Sequence, residues 1–307
     1  MKKLKKILSF LLLLCLMPLS TVVGHAETKK LSIVTSFYPM YAMTKAVVGD
    51  LYDVYMINSG NGIHQFEPSA NDIAAIYDAD IFVYHSVALE SWTKNLEKNK
   101  GDSKVTLLES AHDLEMDKVS GLEAVESVKG QEQASLYDPH TWLDPIKAGE
   151  EAQLIATQLA KIDPDNADVF KANADKFQEE AKQLVKKYQP IFDAMKKKTF
   201  VTQHTAFYYL ANRFGLTQLG IAGISSDAEP GARKIGEVQE FVKKYDVKTI
   251  FIEPNVSDRI AQVIAKATGV NIVSLSPLES DPQNTASFIE NLDNVLKTLS
   301  DALKKEQ

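Results

Sequence analysis

The sequence predicts an α/β protein of two (β/α) lobes with mainly parallel sheets, joined by one long rigid helix. Three observations carry this prediction. Short apolar runs alternate with amphipathic helical stretches from Leu31 onward, the pattern of parallel strands covered by helices. The two halves of the chain present these features in the same order. Between the halves, one apolar stripe persists for about five helical turns, longer than any other. The divisions read as a targeting segment at 1–26, an N-terminal lobe at 27–163, a linking helix at 164–190 and a C-terminal lobe at 191–307.

The start of the chain reads as a secretory signal. Lys2, Lys3, Lys5 and Lys6 precede an apolar stretch, Ile7 to Leu19, and Gly24 and Ala26 supply the small residues of a cleavage site after Ala26. The stretch is too short for a lasting membrane span. Cys15 is the single cysteine, and Leu14 stands before it where a lipoprotein signal has a small residue. The predicted location is the cell surface or the outer side of a bacterial membrane, with lipid anchoring left open. Without Cys15 no disulfide framework is available, so packing alone must hold the fold. Removing 1–26 takes four lysines and no acid, which moves the formal charge from −7 to −11. Such acidity argues against nucleic-acid binding; it suits solubility and cation capture.

The elements follow in order. Leu31–Phe37 reads as a first buried strand, followed by a short helix ended by Gly49 and a strand at Asp53–Ile57. Asn58–His64 is dense in turn formers. Glu67-Pro68-Ser69 opens a helix, with Ser69 as its N-cap. Ile81–His85 is an apolar strand, then come a helix near Glu90–Asn99 and a strand at Val105–Leu108. Residues 112–136 read as an irregular acidic loop. Tyr137–Pro145 holds two Asp-Pro pairs, which keep its backbone out of the helical region around His140. A helix follows from about Ile146 to Lys161. Asp163-Pro164 then signals the start of the long helix, with Asp163 as cap. Phe170, Ala174, Phe177, Ala181, Leu184 and Tyr188 form its stripe.

The second half repeats the plan. Thr199–His204 is a strand leading into a helix at Ala206–Arg213, and Gln218–Ile224 is the next strand. Asp227–Gly231 opens a helix, and Thr249–Pro254 is a strand. A helix at Asp258–Thr268 and a strand at Asn271–Leu275 follow, and the last helix covers Thr285–Leu303. Phe200-Val201-Thr202-Gln203-His204 answers Ile33-Val34-Thr35-Ser36-Phe37, and Ile250-Phe251-Ile252 answers Ile81-Phe82-Val83.

In open α/β sheets, ligands bind beyond the carboxyl ends of the strands. Facing lobes would gather those loops around one cleft. His64, His140 and His204 all fall in such positions, with His85 as a rival at a strand end and His112 opening the acidic loop. Imidazoles with a carboxylate suit zinc, and Glu279, in the loop after the last strand, is a sensible fourth donor. No His-x-x-x-His or Cys-x-x-Cys pair is present, so any such site must be assembled by the fold. Trp92 and Trp142 read as packing residues.

Four segments then resemble motifs of the cluster A-I solute-binding proteins of zinc and manganese ABC importers. They are His64-Gln65-Phe66-Glu67-Pro68-Ser69, Asp138-Pro139-His140-Thr141-Trp142-Leu143-Asp144-Pro145, Thr202-Gln203-His204-Thr205-Ala206-Phe207 and Ser276-Pro277-Leu278-Glu279. The chain looks most similar to the laminin-binding, zinc-binding surface lipoprotein group, an impression that Gly220–Pro230 strengthens. The resemblance implies a metal site between the lobes, with ligands at His64, His140, His204 and Glu279 and Zn²⁺ as the transported ligand. It implies a monomer that catalyses no reaction, an ABC permease as partner, and a second role in binding a matrix glycoprotein such as laminin. Manganese relatives carry a carboxylate in place of His204 and an aspartate in place of Glu279, so this donor set favours zinc. The competing readings are a manganese importer component and a zinc-dependent hydrolase, in which Glu279 would be a base beside a zinc-bound water. The chain departs from the family in lacking a His-rich loop: 112–136 is acidic instead.

Overall fold

Two four-stranded sheets, each entirely parallel, carry the chain. The first has the order β2-β1-β3-β4, with β1 at Ile33–Thr35, β2 at Val54–Met56, β3 at Ile81–Tyr84 and β4 at Thr106–Glu109. The second repeats that order as β6-β5-β7-β8, with β5 at Thr199–Thr202, β6 at Thr217–Gly220, β7 at Thr249–Ile252 and β8 at Asn271–Ser274. The computed structural model describes residues 30–58, 62–64, 66–114, 116, 137–222, 231–254 and 256–307. The expected targeting segment 1–26, most of the acidic loop 112–136 and the helix opening at 227–230 lie outside them.

Parallel pairing obliges each connection to cross back over the sheet, and helices make those crossings. In the first half these are α1 at Tyr38–Val48, α2 at Ala70–Asp78 and the short α3 at Leu96–Asn99. Then come α4 at Pro145–Ile162 and α5 at Ala167–Asp193. The second half has α6 at Tyr208–Arg213, α7 at Ala232–Lys244 and α8 at Arg259–Thr268, and α9 at Phe288–Lys304 closes the chain. Within each sheet the strand order reverses once, between β1 and β3 and between β5 and β7. A crevice opens at the carboxyl ends of each pair.

Ser69 caps α2 as expected, in a reciprocal capping box with Asp72. Asp163 does not cap the long helix. Pro164–Asn166 form a 3₁₀ turn, and α5 starts at Ala167. The Asp163 carboxylate is already engaged, accepting hydrogen bonds from the Tyr52 hydroxyl and, at 2.7 Å, from Asn166 Nδ2. The helix expected near Glu90–Asn99 is split into a 3₁₀ turn at Ser91–Asn95 and α3. Helix α6 begins at Tyr208 rather than Ala206, because the preceding residues form a loop around His204. There the Thr202 hydroxyl and the Ala206 amide both donate to the His204 carbonyl, at 2.6 and 3.1 Å.

Helix α5 has 27 residues, about 40 Å at 1.5 Å per residue. Its stripe, extended to Phe192, is buried, and the helix continues through Pro190. It packs on α1, α4 and α9. One continuous core includes Ile33 and Val83 of the first sheet, Phe200 and Phe251 of the second, and the α5 stripe. The lobes therefore share buried apolar surface, which opposes a wide hinge motion. Gly149 on α4 permits the close approach of α5, since a Cβ there would lie 3.3 Å from the Gln178 backbone.

Candidate metal centre

Each lobe contributes two side chains to one point. His64 sits in a turn after β2, next to the buried Ile63. His140 stands at φ −80°, ψ 47°, just before the 3₁₀ turn Thr141–Leu143. His204 follows β5 and Glu279 follows β8. Leu278, immediately before Glu279, has φ 56°. That left-handed conformation is unfavourable for a bulky residue, and here the buried leucine side chain and a bond from its amide to Ser276 Oγ hold it.

The four donor atoms all lie within 4.8 Å of one another, and five of their separations are nearly equal. The Nε2 atoms of His64 and His140 are 3.3 Å apart, and those of His140 and His204 are 3.4 Å apart. Glu279 Oε1 lies 3.5 Å from His64 Nε2 and 3.2 Å from both His140 Nε2 and His204 Nε2. The edge of a regular tetrahedron is about 1.63 times its centre-to-corner distance, so zinc bonds of about 2.0–2.1 Å need edges of about 3.3–3.4 Å. These four atoms form the one His, Cys, Asp and Glu cluster among the described residues with the spacing to hold a metal ion. His140, His204 and Glu279 are buried, whereas the His64 side chain keeps 8% of its exposure. The open edge of the site is at His64.

Two carboxylates aim the rings. Asp138 Oδ1 accepts from both the backbone amide and Nδ1 of His140, at 2.8 and 2.6 Å. Glu253 Oε1 accepts from His204 Nδ1. With Nδ1 carrying the proton, the Nε2 lone pair of each ring faces the shared centre. Asp138 Oδ2 is buried and has no hydrogen-bond partner among the described residues. Such an oxygen is costly to bury unless a positive charge lies nearby.

The electrostatics follow. Burial lowers the pKa of His64, and the attraction of Glu279 only partly opposes this. Burial also acts to lower the pKa of His140, but Asp138 and Glu279 outweigh it and the net shift is upward. For His204 the same opposition, with Glu253 and Glu279 winning, raises the value to about 10. Burial tends to raise the pKa of Glu279, yet the three histidines hold it well below the usual carboxylate range.

His85, the rival candidate, stays outside the cluster. Its ring is fully buried between Thr141 Oγ1 and Ser86 Oγ, at 2.8 and 3.0 Å. His112 is exposed and pairs with Glu109 at 3.5 Å. Trp142 is core, as expected, and its indole also bridges the lobes by donating to the Pro277 carbonyl at 2.9 Å. Trp92 packs on Phe66 and Phe82.

Asp138 and Glu253 were not singled out from the sequence. A signal existed for Asp138, which is two residues from His140 in Asp-Pro-His. Glu253 stands one residue past β7 as His85 stands one residue past β3, but only the strand register shows this: laying Ile250-Phe251-Ile252 on Ile81-Phe82-Val83 puts Glu253 against Tyr84.

The profile of the family described as zinc-uptake complex component A, periplasmic (ZnuA), matches residues 33–302. The chain belongs to the ZnuA family. ZnuA-type relatives include the zinc-binding protein AdcA of Streptococcus pyogenes serotype M1, 38% identical over 263 residues, which covers 81% of this chain and 51% of AdcA. The chain thus spans about half the length of the curated AdcA relatives it matches. Among solved structures, the laminin-binding protein Lmb of Streptococcus agalactiae, described as bifunctional with adhesin and metal transporting activity, is 52% identical. Its TM-score is 0.83, over 90% of this chain and 100% of Lmb. A Zn(II)-bound AdcAII variant of Streptococcus pneumoniae is 55% identical with a TM-score of 0.83, over 90% of this chain and 99% of that one.

Proposed function

We propose that the chain captures Zn²⁺ outside the membrane and delivers it to an ABC permease for zinc uptake. His64, His140, His204 and Glu279 are the proposed ligands, and the lobes at 27–163 and 191–307 are jaws braced by 164–190. The observation that carries this reading is the set of five donor separations between 3.2 and 3.5 Å. Three imidazoles and one carboxylate replace the water shell of the ion. Glu279 leaves the ion with one net positive charge, and Asp138 and Glu253 outside the rings offset it. Manganese favours six mainly oxygen donors, so a nitrogen-rich set of four selects against it. A zinc hydrolase keeps one coordination position for water. Here Glu279 fills the fourth position, so the chain is read as a carrier and not an enzyme.

Native mass spectrometry of the exported protein tests this reading. One zinc ion per chain is expected, held more weakly in His204→Ala. A metal-free protein after exposure to zinc would sink it. The same spectrum reports any lipid and the expected monomeric mass.

A second reading, binding to laminin, is favoured by the similarity to Lmb. Immobilised laminin that fails to retain the zinc-loaded protein would discard it.

A further inference from the structure

Beneath the metal-binding point lies a buried polar group that holds no metal in the proposed reading. Glu151, in the second turn of α4, is fully buried. Its Oε1 accepts from the Thr141 hydroxyl at 2.6 Å and its Oε2 from the Ser110 hydroxyl at 2.9 Å. Thr141 directly follows His140. Thr141 Oγ1 also meets His85 Nε2 at 2.8 Å, and His85 Nδ1 meets Ser86 Oγ at 3.0 Å. Glu90 Oε2 holds that end of the chain by accepting from the amides of His85 and Ser86, at 2.7 and 3.2 Å.

Burial raises the pKa of Glu151 to about 7. In its ionised form the carboxylate only accepts, and the Thr141 hydroxyl proton then points at Glu151. The Thr141 oxygen then accepts Nε2–H of His85, which leaves His85 Nδ1 to accept from the Ser86 hydroxyl. A carboxylate buried among hydroxyls is an expensive way to stabilise a core, since apolar replacement of buried polar sets is often neutral or favourable. What it offers is a defined position.

The His140 arm needs that. His140 lies in neither helix nor strand, so no backbone ladder fixes it. Asp138 fixes the ring from one side. Glu151, on the rigid α4, fixes the backbone from the other side through the first residue of the turn. A metal ligand must be held to within about 0.5 Å, and neighbours of ligands commonly govern affinity for this reason.

We propose that Glu151 is a positioning residue for metal retention: its hydrogen bond to Thr141 sets the reach of His140 Nε2 into the four-donor cluster. This rests on the zinc-binding reading above.

The test uses the full exported chain, with Co²⁺ absorption reporting the geometry of the metal shell and a chelator chase reporting zinc release. Wild type must first show the intense visible bands of four-coordinate Co²⁺; their absence there refutes the zinc site itself, separately from the role of Glu151. Glu151→Ala and Thr141→Val are each expected to shift those bands and to speed zinc release about tenfold, in line with the loss of an outer hydrogen bond. Glu151→Gln and Thr141→Ser keep the bond and are expected to return release to within about threefold of wild type. Metal-free unfolding midpoints show which variants fold, and Thr141→Val, nearly equal in volume to threonine, decides the matter if Glu151→Ala does not. A folded Thr141→Val with wild-type bands and release, or a Glu151→Gln no better than Glu151→Ala, overturns the proposal.

Discussion

Trp142 Nε1 donates to the carbonyl of Pro277 at 2.9 Å. Trp142 lies two residues after His140, and Pro277 lies two residues before Glu279. One hydrogen bond thus ties the segment that carries His140 to the segment that carries Glu279. Three more bonds grip the His140 segment: the Tyr209 hydroxyl donates to the Asp138 carbonyl at 2.8 Å, and Arg213 makes a bidentate pair with Asp144 at 2.8 and 2.7 Å. The segment carrying His140 belongs by sequence to the first half and by contact to both.

Trp142→Phe keeps an aromatic ring in the core but leaves the Pro277 carbonyl without its donor. The expected cost is about 1–3 kcal/mol of stability, the penalty for an unsatisfied buried acceptor. Zinc affinity should fall as well, by about tenfold. Denaturant unfolding and chelator competition measure the two effects; an unchanged affinity would separate the bridge from the site.

Zinc uptake should release protons. His204 has its value raised to about 10, so it carries an extra proton in the metal-free protein at neutral pH, whereas His64, lowered by burial, does not. Metal must displace at least that one proton. Calorimetry in buffers of different ionisation enthalpy counts them, and a count near zero contradicts the assignment. Unperturbed imidazoles would confine the pH dependence of affinity to below about pH 6.5. Here affinity should still be rising with pH well above neutrality.

The same shift governs the metal-free fold. The folded protein binds a proton at His204 more tightly than the unfolded chain does. The stabilisation is therefore fully present below about pH 6.5, the unfolded value, and is lost as pH climbs through about 10. Thermal unfolding of the metal-free protein should show a falling midpoint across that window, and His204→Ala should flatten it.

Asp138→Asn and Glu253→Gln remove the charge behind one ring each while keeping a group of the same shape. Each should weaken zinc binding by about 10–100-fold. The released-proton count should also fall, because the ring behind each substitution loses the carboxylate that raises its pKa. Wild-type affinity in both variants would show that the rings are aimed by packing alone.

Gly220 ends β6 against the loop that carries His204. A Cβ there would lie 2.2 Å from Thr205 Oγ1, 2.7 Å from the Ala222 carbonyl oxygen and 3.0 Å from the Thr205 amide nitrogen. Gly220→Ala should cost about 1–3 kcal/mol by overpacking and weaken zinc binding by moving His204. Adding Thr205→Ala removes the tightest contact and should recover part of both losses. Additive effects of the two substitutions would count against this coupling.

The sequence by itself determined the alternation of strands and helices, the repeated plan of the halves, the cap at Ser69 and the stripe on α5. These depend on residues within a few turns of one another, where periodicity and turn chemistry act directly. It also supplied the short set of histidines from which a site could be drawn. Only the tertiary structure decided among them. His85 and His204 both follow strands at a crevice, but Thr141 and Ser86 enclose the first, and the second faces His140 and Glu279. His64, His140, His204 and Glu279 stand 76, 64 and 75 residues apart along the chain. No local preference spans such distances. They meet because two sheets of the same order close around one core and point their strand ends at each other. Asp138, Glu253 and Glu151 came into view only then, because a carboxylate that aims a ring or a turn differs from a surface acid only in what it touches.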